Sequence, residues 1–183
     1  MPILSKSLFR KPKNALEGYD HLLSIPSPAT PDELCVSCPD CKHMTLTDDL
    51  IRNAYVCPKC GRHFRLAPRK RIQILADEGS FVEMDADIAA SNPLQFPEYE
   101  QKIKNAQLDS NECEGVRTGT IRLGGIECAL FCMDPYFMMG SMGTVVGDKI
   151  TRLFEYATER SLPVIGFTVS GGARIQEGIL SLM

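Results

Sequence analysis

The chain has 183 residues and a formal net charge of −3, and 44% of its residues are hydrophobic. This composition excludes a wholly disordered or collagen-like chain. The sequence contains no run of about 18 apolar residues, so it predicts no membrane-spanning helix. Residues 1–13 lack the apolar segment of a secretory signal. We therefore expect a cytoplasmic protein without a membrane partner.

The charge is unevenly distributed along the chain. Residues 1–71 contain 12 Lys and Arg against 7 Asp and Glu, whereas residues 72–183 contain 8 against 16. A basic N-terminal part followed by an acidic C-terminal part predicts two modules, and the basic module can bind an anionic partner. Residues 1–34, which are basic and Pro-rich, are interpreted as a flexible lead.

Residues 35–66 contain the strongest motif of the sequence. Two Cys-x2-Cys knuckles are separated by fifteen residues. This spacing is typical of a structural four-thiolate zinc site, in which each knuckle aims two sulfurs at one metal ion. We predict one Zn²⁺ per chain and a zinc ribbon over residues 35–66. The predicted ligands are Cys38, Cys41, Cys57 and Cys60.

A second register for the first knuckle stays open, because Cys35-Val-Ser-Cys38 is also a Cys-x2-Cys pair. We prefer Cys38 with Cys41, since a proline then follows the first cysteine of both knuckles. With four cysteines available, two nearby histidines are interpreted as surface residues: His43 and His63.

The remaining sequence, residues 67–183, predicts an α/β layout. Helices are expected at 69–78 and 98–107, followed by a hairpin of strands 116–123 and 126–133 across Gly124-Gly125, whereas short strands at 44–46 and 54–56 are expected within the ribbon. A helix over 144–159, a strand over 163–170 and a helix from Ile175 follow. Because a sheet of this kind normally continues, we expect the chain to be a fragment of a longer protein.

Two glycine-rich turns each precede a predicted helix. One is Ser170-Gly-Gly-Ala-Arg174 and the other is Gly140-Ser-Met-Gly143. Free amides at such a turn can hold a phosphate or form an oxyanion hole. The alternative is a plain tight turn between strand and helix. Neither turn fits a Walker or G-x-G-x-x-G pattern, and neither serine has a G-x-S-x-G context.

Taken in order, the four-cysteine ribbon and three further segments resemble the carboxyltransferase beta subunits of bacterial acetyl-coenzyme A carboxylases. The segments are Asp77-Glu-Gly-Ser-Phe81, Phe137-Met-Met-Gly-Ser-Met-Gly143 and Ser170-Gly-Gly-Ala-Arg-Ile-Gln-Glu177 with Ser181-Leu-Met183. The resemblance covers residues 35–183. The family usually has Phe-Met-Gly-Gly-Ser in the second segment, so Met139 stands where a first glycine is usual.

The resemblance implies a zinc ribbon followed by a crotonase-like spiral domain, here partial. It implies transfer of a carboxyl group from carboxybiotin to acetyl-CoA, giving malonyl-CoA for fatty acid biosynthesis. The implied partners are an alpha subunit in a heterotetramer with two copies of each, a biotin carrier protein and an ATP-dependent biotin carboxylase.

By the same resemblance, Gly171 and Gly172 supply a backbone oxyanion hole, with the thioester favoured as its ligand. Arg174 holds an anionic group nearby or is an ordinary surface residue. The other glycine-rich turn would line an acyl-CoA or biotin pocket through Gly140, Ser141 and Gly143.

Three rival functions stay open at this point. A nucleic-acid-binding zinc-ribbon protein would explain the basic N-terminal part, but the ribbon lacks interleaved aromatic residues for base stacking. A carboxyltransferase for another acyl-CoA, such as propionyl-CoA, would usually lack the ribbon. A non-catalytic structural subunit would not need the Gly-Gly turn. Nucleic acid binding stays open as a secondary role of the ribbon.

Overall fold

The computed structural model of the chain describes residues 34–182, so all but the last residue of the predicted lead lies outside the described residues. In chain order the elements are β1 Cys35–Ser37, β2 Met44–Leu46, α1 Thr47–Arg52, α2 Pro68–Leu75, β3 Val82–Met84, α3 Tyr99–Ser110, β4 Val116–Leu123, β5 Ile126–Met133, a 3-10 turn Met138–Gly140, α4 Thr144–Arg160, β6 Val164–Phe167 and a 3-10 segment Ile175–Leu182. Within this part of the chain, no helix is long and apolar enough to cross a bilayer.

A mixed sheet with strand order β3-β4-β5-β6 forms the body of the fold. The predicted hairpin is confirmed, with Leu123 paired to Ile126 across a two-residue turn. Both turn glycines have positive φ, at 60° and 82°. The Asp77 carboxylate accepts hydrogen bonds from the two turn amides at 2.9 and 2.7 Å, so it fixes the hairpin end against the loop after α2.

The predicted helix over 144–159 is also confirmed, and α4 connects β5 to the parallel strand β6. Apolar residues of β5 alternate between the two sheet faces, as a pleated strand requires. Ala129, Phe131 and Met133 pack towards α4, whereas Cys128 and Leu130 pack towards α2. Strand β5 is therefore packed on both faces, and the loop that follows it begins at the core of the fold.

The ribbon differs in part from the sequence prediction. Strand 44–46 is confirmed as β2, but it pairs with β1, which the sequence did not predict. The expected strand at 54–56 is reduced to one bridge between Val56 and His63. Helix α1 occupies part of the inter-knuckle segment because Leu50 buries its side chain while its neighbours stay exposed.

The helix predicted from Ile175 is wrong in type. Residues Ile175–Leu182 form a 3-10 segment interrupted at Gly178, which has φ 60° and ψ −143°. An α-helix cannot continue through that backbone conformation. The side chain of Glu177 is buried just before the break, whereas Ile175 and Ile179 are exposed. The segment therefore buries Glu177 instead of the isoleucines whose spacing predicted an α-helix.

Candidate functional site

The ribbon brings its four predicted metal ligands together. Their Sγ atoms all lie within 4.8 Å of one another, and Cys35 is outside the group. Sγ of Cys38 lies 3.6 Å from Sγ of Cys60, and Sγ of Cys41 lies 3.7 Å from Sγ of Cys57. Four sulfurs about 2.3 Å from one ion in a tetrahedron are about 3.8 Å apart, whereas a disulfide requires about 2.05 Å. The donor set therefore fits zinc rather than two disulfides.

The backbone of the first knuckle favours a thiolate. A hydrogen bond from the Cys41 amide holds the pKa of the Cys38 thiol below its usual value. Because metal binding needs deprotonated sulfur, an N–H group aimed at the sulfur prepares the ligand. In the second knuckle the Gly61 amide donates to the Cys57 carbonyl oxygen at 3.0 Å, and Gly61 has φ 73°. A left-handed residue is therefore needed at this bend.

The two glycine-rich turns, far apart in sequence, lie side by side. Met142 and Ala173 form a parallel bridge. The Met142 amide donates to the Gly172 carbonyl oxygen at 2.9 Å, and the Arg174 amide donates to the Met142 carbonyl oxygen at 2.9 Å. A single backbone joint therefore fixes the position of one turn relative to the other.

The side chain of Arg174 also stabilises the contact between the two turns. Its guanidinium group is buried, with Nη2 2.5 Å from Oε1 of Glu114 and Nη1 3.1 Å from Oε2. Its Nε donates to Oγ of Ser141 at 3.0 Å. Burial alone would lower the pKa of Arg174, but the bonds to Glu114 outweigh it and raise that pKa. The arginine is permanently charged, and it is neither a surface residue nor free to bind an external anion in this arrangement.

Glu177 connects the same cluster to two helices. Oε1 of Glu177 accepts from the Tyr99 hydroxyl of α3 at 2.5 Å and from Arg174 at 3.3 Å, and Oε2 accepts from the Thr144 amide at 2.5 Å. Burial opposes ionisation, but the bonds from Tyr99 and Thr144 outweigh it and keep the pKa of Glu177 below its usual value. A carboxylate at the first amide of α4 is also favoured by the helix dipole.

The other turn, residues 137–143, is packed rather than open. A Cβ at Gly140, which has φ 68°, would collide with the Val169 carbonyl oxygen, and a Cβ at Gly143 would lie 2.6 Å from Nη1 of Arg174. Ser141 is already bonded to Arg174. The three predicted pocket residues of this turn are therefore engaged in its internal packing. Its exposed side chains are Met139 and Met142, each 37% exposed.

The turn at 170–172 is exposed at the surface of the joint. The Gly172 amide donates to Oγ of Ser170 at 3.1 Å, and Gly172 has φ 99°. Among residues 34–182, the Gly171 amide has no hydrogen-bond partner. Of the two predicted oxyanion donors, Gly171 is thus the one whose N–H has no partner among the described residues, whereas the Gly172 N–H is bonded to Ser170.

Met139 has an unusual backbone. Its φ of 58° and ψ of 29° place it in the left-handed region, which costs a non-glycine residue roughly 1–2 kcal/mol. Its side chain lies against the exposed turn, with Cβ 3.2 Å and Cε 3.4 Å from the position of a Cβ built on Gly171. The methionine at the position where the resembled family usually has glycine is therefore accommodated by strain, and it borders the free amide.

Comparison with known proteins places this geometry in a family. Residues 62–183 match the family model described as carboxyl transferase domain. The chain belongs to the carboxyl transferase domain family. Residues 36–60 match a second model, described as acetyl-CoA carboxylase zinc finger domain. The predicted fold class, a crotonase-like α/β domain preceded by a four-cysteine zinc ribbon, is thereby confirmed.

Named relatives agree with the family assignment. The chain is 50% identical over 181 residues to the acetyl-coenzyme A carboxylase carboxyl transferase subunit beta of Ruminiclostridium cellulolyticum, covering 99% of this chain and 63% of the relative. It is 46% identical over 181 residues to the subunit of the same name from Clostridium botulinum strain Eklund 17B, covering 97% and 62%. The chain thus spans less than two thirds of the length of these relatives.

A solved structure of a transcarboxylase 12S, with hydrolysed methylmalonyl-coenzyme A bound, is similar to this chain with a TM-score of 0.55 and 30% identity. The match covers 64% of this chain and 21% of the transcarboxylase chain. The carboxyl transferase fold of this chain is thus similar to that of a transcarboxylase whose structure contains hydrolysed methylmalonyl-coenzyme A.

Sequence reasoning missed three residues of this carboxyl transferase joint: Glu114, Glu177 as a helix cap, and Tyr99. Glu114 lies 60 positions from Arg174, and Tyr99 lies 78 positions from Glu177. No periodicity links residues at such distances. The available signal was an arginine and a glutamate three residues apart in a segment that also supplies the Gly-Gly turn.

Asp134, which begins the turn at the end of β5, is fully buried. Its Oδ1 accepts from the Tyr136 amide at 2.8 Å, whereas Oδ2 has no partner among the described residues. Burial raises the pKa of Asp134 to about 6. The folded state therefore binds a proton more tightly than the unfolded state does.

We expect this carboxylate to make stability depend on pH. A raised folded-state pKa contributes stability that is complete below about pH 4 and is lost as the pH rises through about 6. Between pH 8 and pH 5, wild type should gain about 1 kcal/mol relative to Asp134→Asn in urea unfolding. Asp87→Asn removes an exposed carboxylate and serves as the control. A wild-type-to-Asp134→Asn difference that is the same at both pH values would contradict the raised pKa.

Proposed function

We propose that this chain is part of a carboxyltransferase beta subunit that carboxylates acetyl-CoA to malonyl-CoA in fatty acid biosynthesis. One observation carries the proposal: in a chain of the carboxyl transferase domain family, the Gly171 amide has no partner among residues 34–182 and lies at an exposed turn that a buried ion cluster supports. The four-cysteine ribbon and the names of the relatives at 46–50% identity favour acetyl-CoA over other acyl-CoA substrates.

The reaction needs donors for negative charge more than it needs a charged side chain. Carboxybiotin, when bound, would supply the carboxyl group, and its ureido nitrogen would take up the methyl proton, so that the acetyl methyl carbon would exchange a C–H bond for a C–C bond to the carboxyl carbon. The thioester oxygen gains charge as the methyl group loses its proton, and an amide aimed at that oxygen lowers the barrier. In this proposal the Gly171 amide donates to that oxygen, and Gly172 assists.

The remaining roles follow from the packing. Arg174 positions the two turns rather than binding substrate, because Glu114, Glu177 and Ser141 engage its nitrogens. Gly140, Ser141 and Gly143 shape the turn whose exposed methionines would border the acyl-CoA. Residues 35–66 and 67–183 are proposed as the ribbon and the carboxyltransferase domain.

We propose the partners from the names of the relatives, which are subunits of an acetyl-coenzyme A carboxylase. An alpha subunit, in a heterotetramer with two copies of each subunit, would supply the second oxyanion hole. A biotin carrier protein would present carboxybiotin made by an ATP-dependent biotin carboxylase. The reduced thiolate set of the ribbon fits a cytoplasmic location.

We also propose that the ribbon holds one zinc ion through Cys38, Cys41, Cys57 and Cys60. Serine at any of these positions should release the metal and unfold the ribbon, because metal binding and folding of such sites are one event. Metal analysis of the purified variants measures this. Cys35→Ser is the matched control and should keep its zinc. Loss of zinc in Cys35→Ser with retention in Cys41→Ser would reverse the assignment.

The oxyanion role is tested at Gly171 in the full-length protein assembled with its alpha subunit. Gly171→Pro removes the free N–H, whereas Gly171→Ala keeps it and adds only a Cβ beside Met139. Carboxyl transfer to acetyl-CoA should fall in the proline variant by about 10² or more relative to the alanine variant. Affinity for acetyl-CoA should change much less, because the donated charge develops in the transition state.

Circular dichroism and zinc content check that both Gly171 variants fold. Near-equal turnover of the two folded variants would overturn the oxyanion role. Gly172 is unsuited to this comparison, since its φ of 99° excludes proline whatever its amide does.

A further inference from the structure

The free amide of Gly171 has an apolar border. Three exposed apolar residues lie close to the turn at 170–172: Met139, Met142, whose backbone is bonded to Gly172, and Val169, which directly precedes the turn. Met139 packs on the Cα side of Gly171, since its Cβ and Cε lie 3.2 and 3.4 Å from the position that a Cβ would take on that glycine. A carbonyl group that accepts from the Gly171 amide therefore binds at a turn that the Met139 side chain borders.

The backbone conformation of Met139 costs free energy that a glycine at this position would not cost. A φ of 58° is strained for methionine and unstrained for glycine. The preceding residue, Met138, has the same kind of backbone, with φ 45°, so the strain belongs to the bend of this turn as a whole. The side chain is 37% exposed, so the burial of a core residue does not account for it.

We propose that Met139 limits the length of the acyl chain that the site accepts. This inference rests on the proposed function. When the thioester oxygen accepts from the Gly171 amide at about 3 Å, the first carbons of the acyl chain come within van der Waals reach of the Met139 side chain. An acetyl methyl group fits beside it, whereas each further methylene group must displace the thioether. One methylene in such a pocket typically changes discrimination by about 10–200-fold.

The side chain can be shortened without closing the turn. Met139→Gly removes the whole side chain and suits the left-handed backbone, whereas Met139→Ala removes most of it and keeps the strain. Met139→Leu preserves the apolar bulk and is the matched control. Met139→Gly should also melt at a higher temperature than Met139→Ala, which checks that the left-handed conformation is present in solution.

The experiment uses the full-length protein with its alpha subunit and carboxybiotin, and it measures kcat/KM for acetyl-, propionyl- and butyryl-CoA. We expect the propionyl-to-acetyl ratio of kcat/KM to rise by about 10-fold or more in Met139→Gly and Met139→Ala. The ratio in Met139→Leu should stay within about threefold of wild type. A ratio rather than a rate is used because loss of stability alone lowers both activities together.

The outcomes separate this inference from the proposed function. If wild type carboxylates acetyl-CoA and the ratio is unchanged in both shortened variants, the role of Met139 is overturned while the proposed function stands. If Met139→Leu changes the ratio as much as Met139→Ala does, bulk at this position is not the determinant, and the inference is again overturned. If wild type does not carboxylate acetyl-CoA, the proposed function fails and the chain-length limit fails with it.

Discussion

The buried guanidinium group of Arg174 is the contact on which the rest of the site depends. It lies between the carboxylates of Glu114 and Glu177 and also bonds to Ser141 of the neighbouring turn. Breaking such a buried cluster by removing one partner typically costs about 3–5 kcal/mol, because a charge is left without compensation. The backbone bridge between Met142 and Ala173 and the side chain of this arginine therefore keep the two glycine-rich turns in their relative position together. A rigid support of this kind is what preorganised amide donors require.

The charges of the cluster also decide which amides remain available. Two carboxylates, those of Glu114 and Glu177, share one guanidinium group, which leaves one negative charge in excess. The second oxygen of Glu177 accepts from the first amide of α4, where the helix dipole favours this charge. The N-terminus of α4 is thus already occupied by an anion from the protein itself. The free amide of Gly171 lies at the exposed turn instead, bordered by Met139. The ion cluster consequently supports the two turns on their buried side, and the candidate catalytic turn lies on their exposed side.

Local features of the sequence predicted much of the fold. The Gly124-Gly125 turn and the alternation on either side determine the hairpin, and a 3.6-residue apolar stripe determines α4. Strands β1 and β3 have only three residues each, so their stability comes from pairing partners that the sequence does not reveal. The cysteine spacing was sufficient to predict the ribbon, because knuckles are local. The cluster around Arg174 was not predictable, since its partners come from α3, the segment before β4 and the 3-10 segment.

Hydrogen–deuterium exchange of Arg174→Lys tests the central claim most directly. Lysine keeps the positive charge but lacks the planar fork that reaches Glu114, Glu177 and Ser141 together. We predict faster exchange in both turns, residues 137–144 and 170–174, with exchange of the ribbon at 57–66 unchanged. Faster exchange in one turn only, or unchanged exchange in both, would contradict the claim that this buried arginine holds the two turns as one unit.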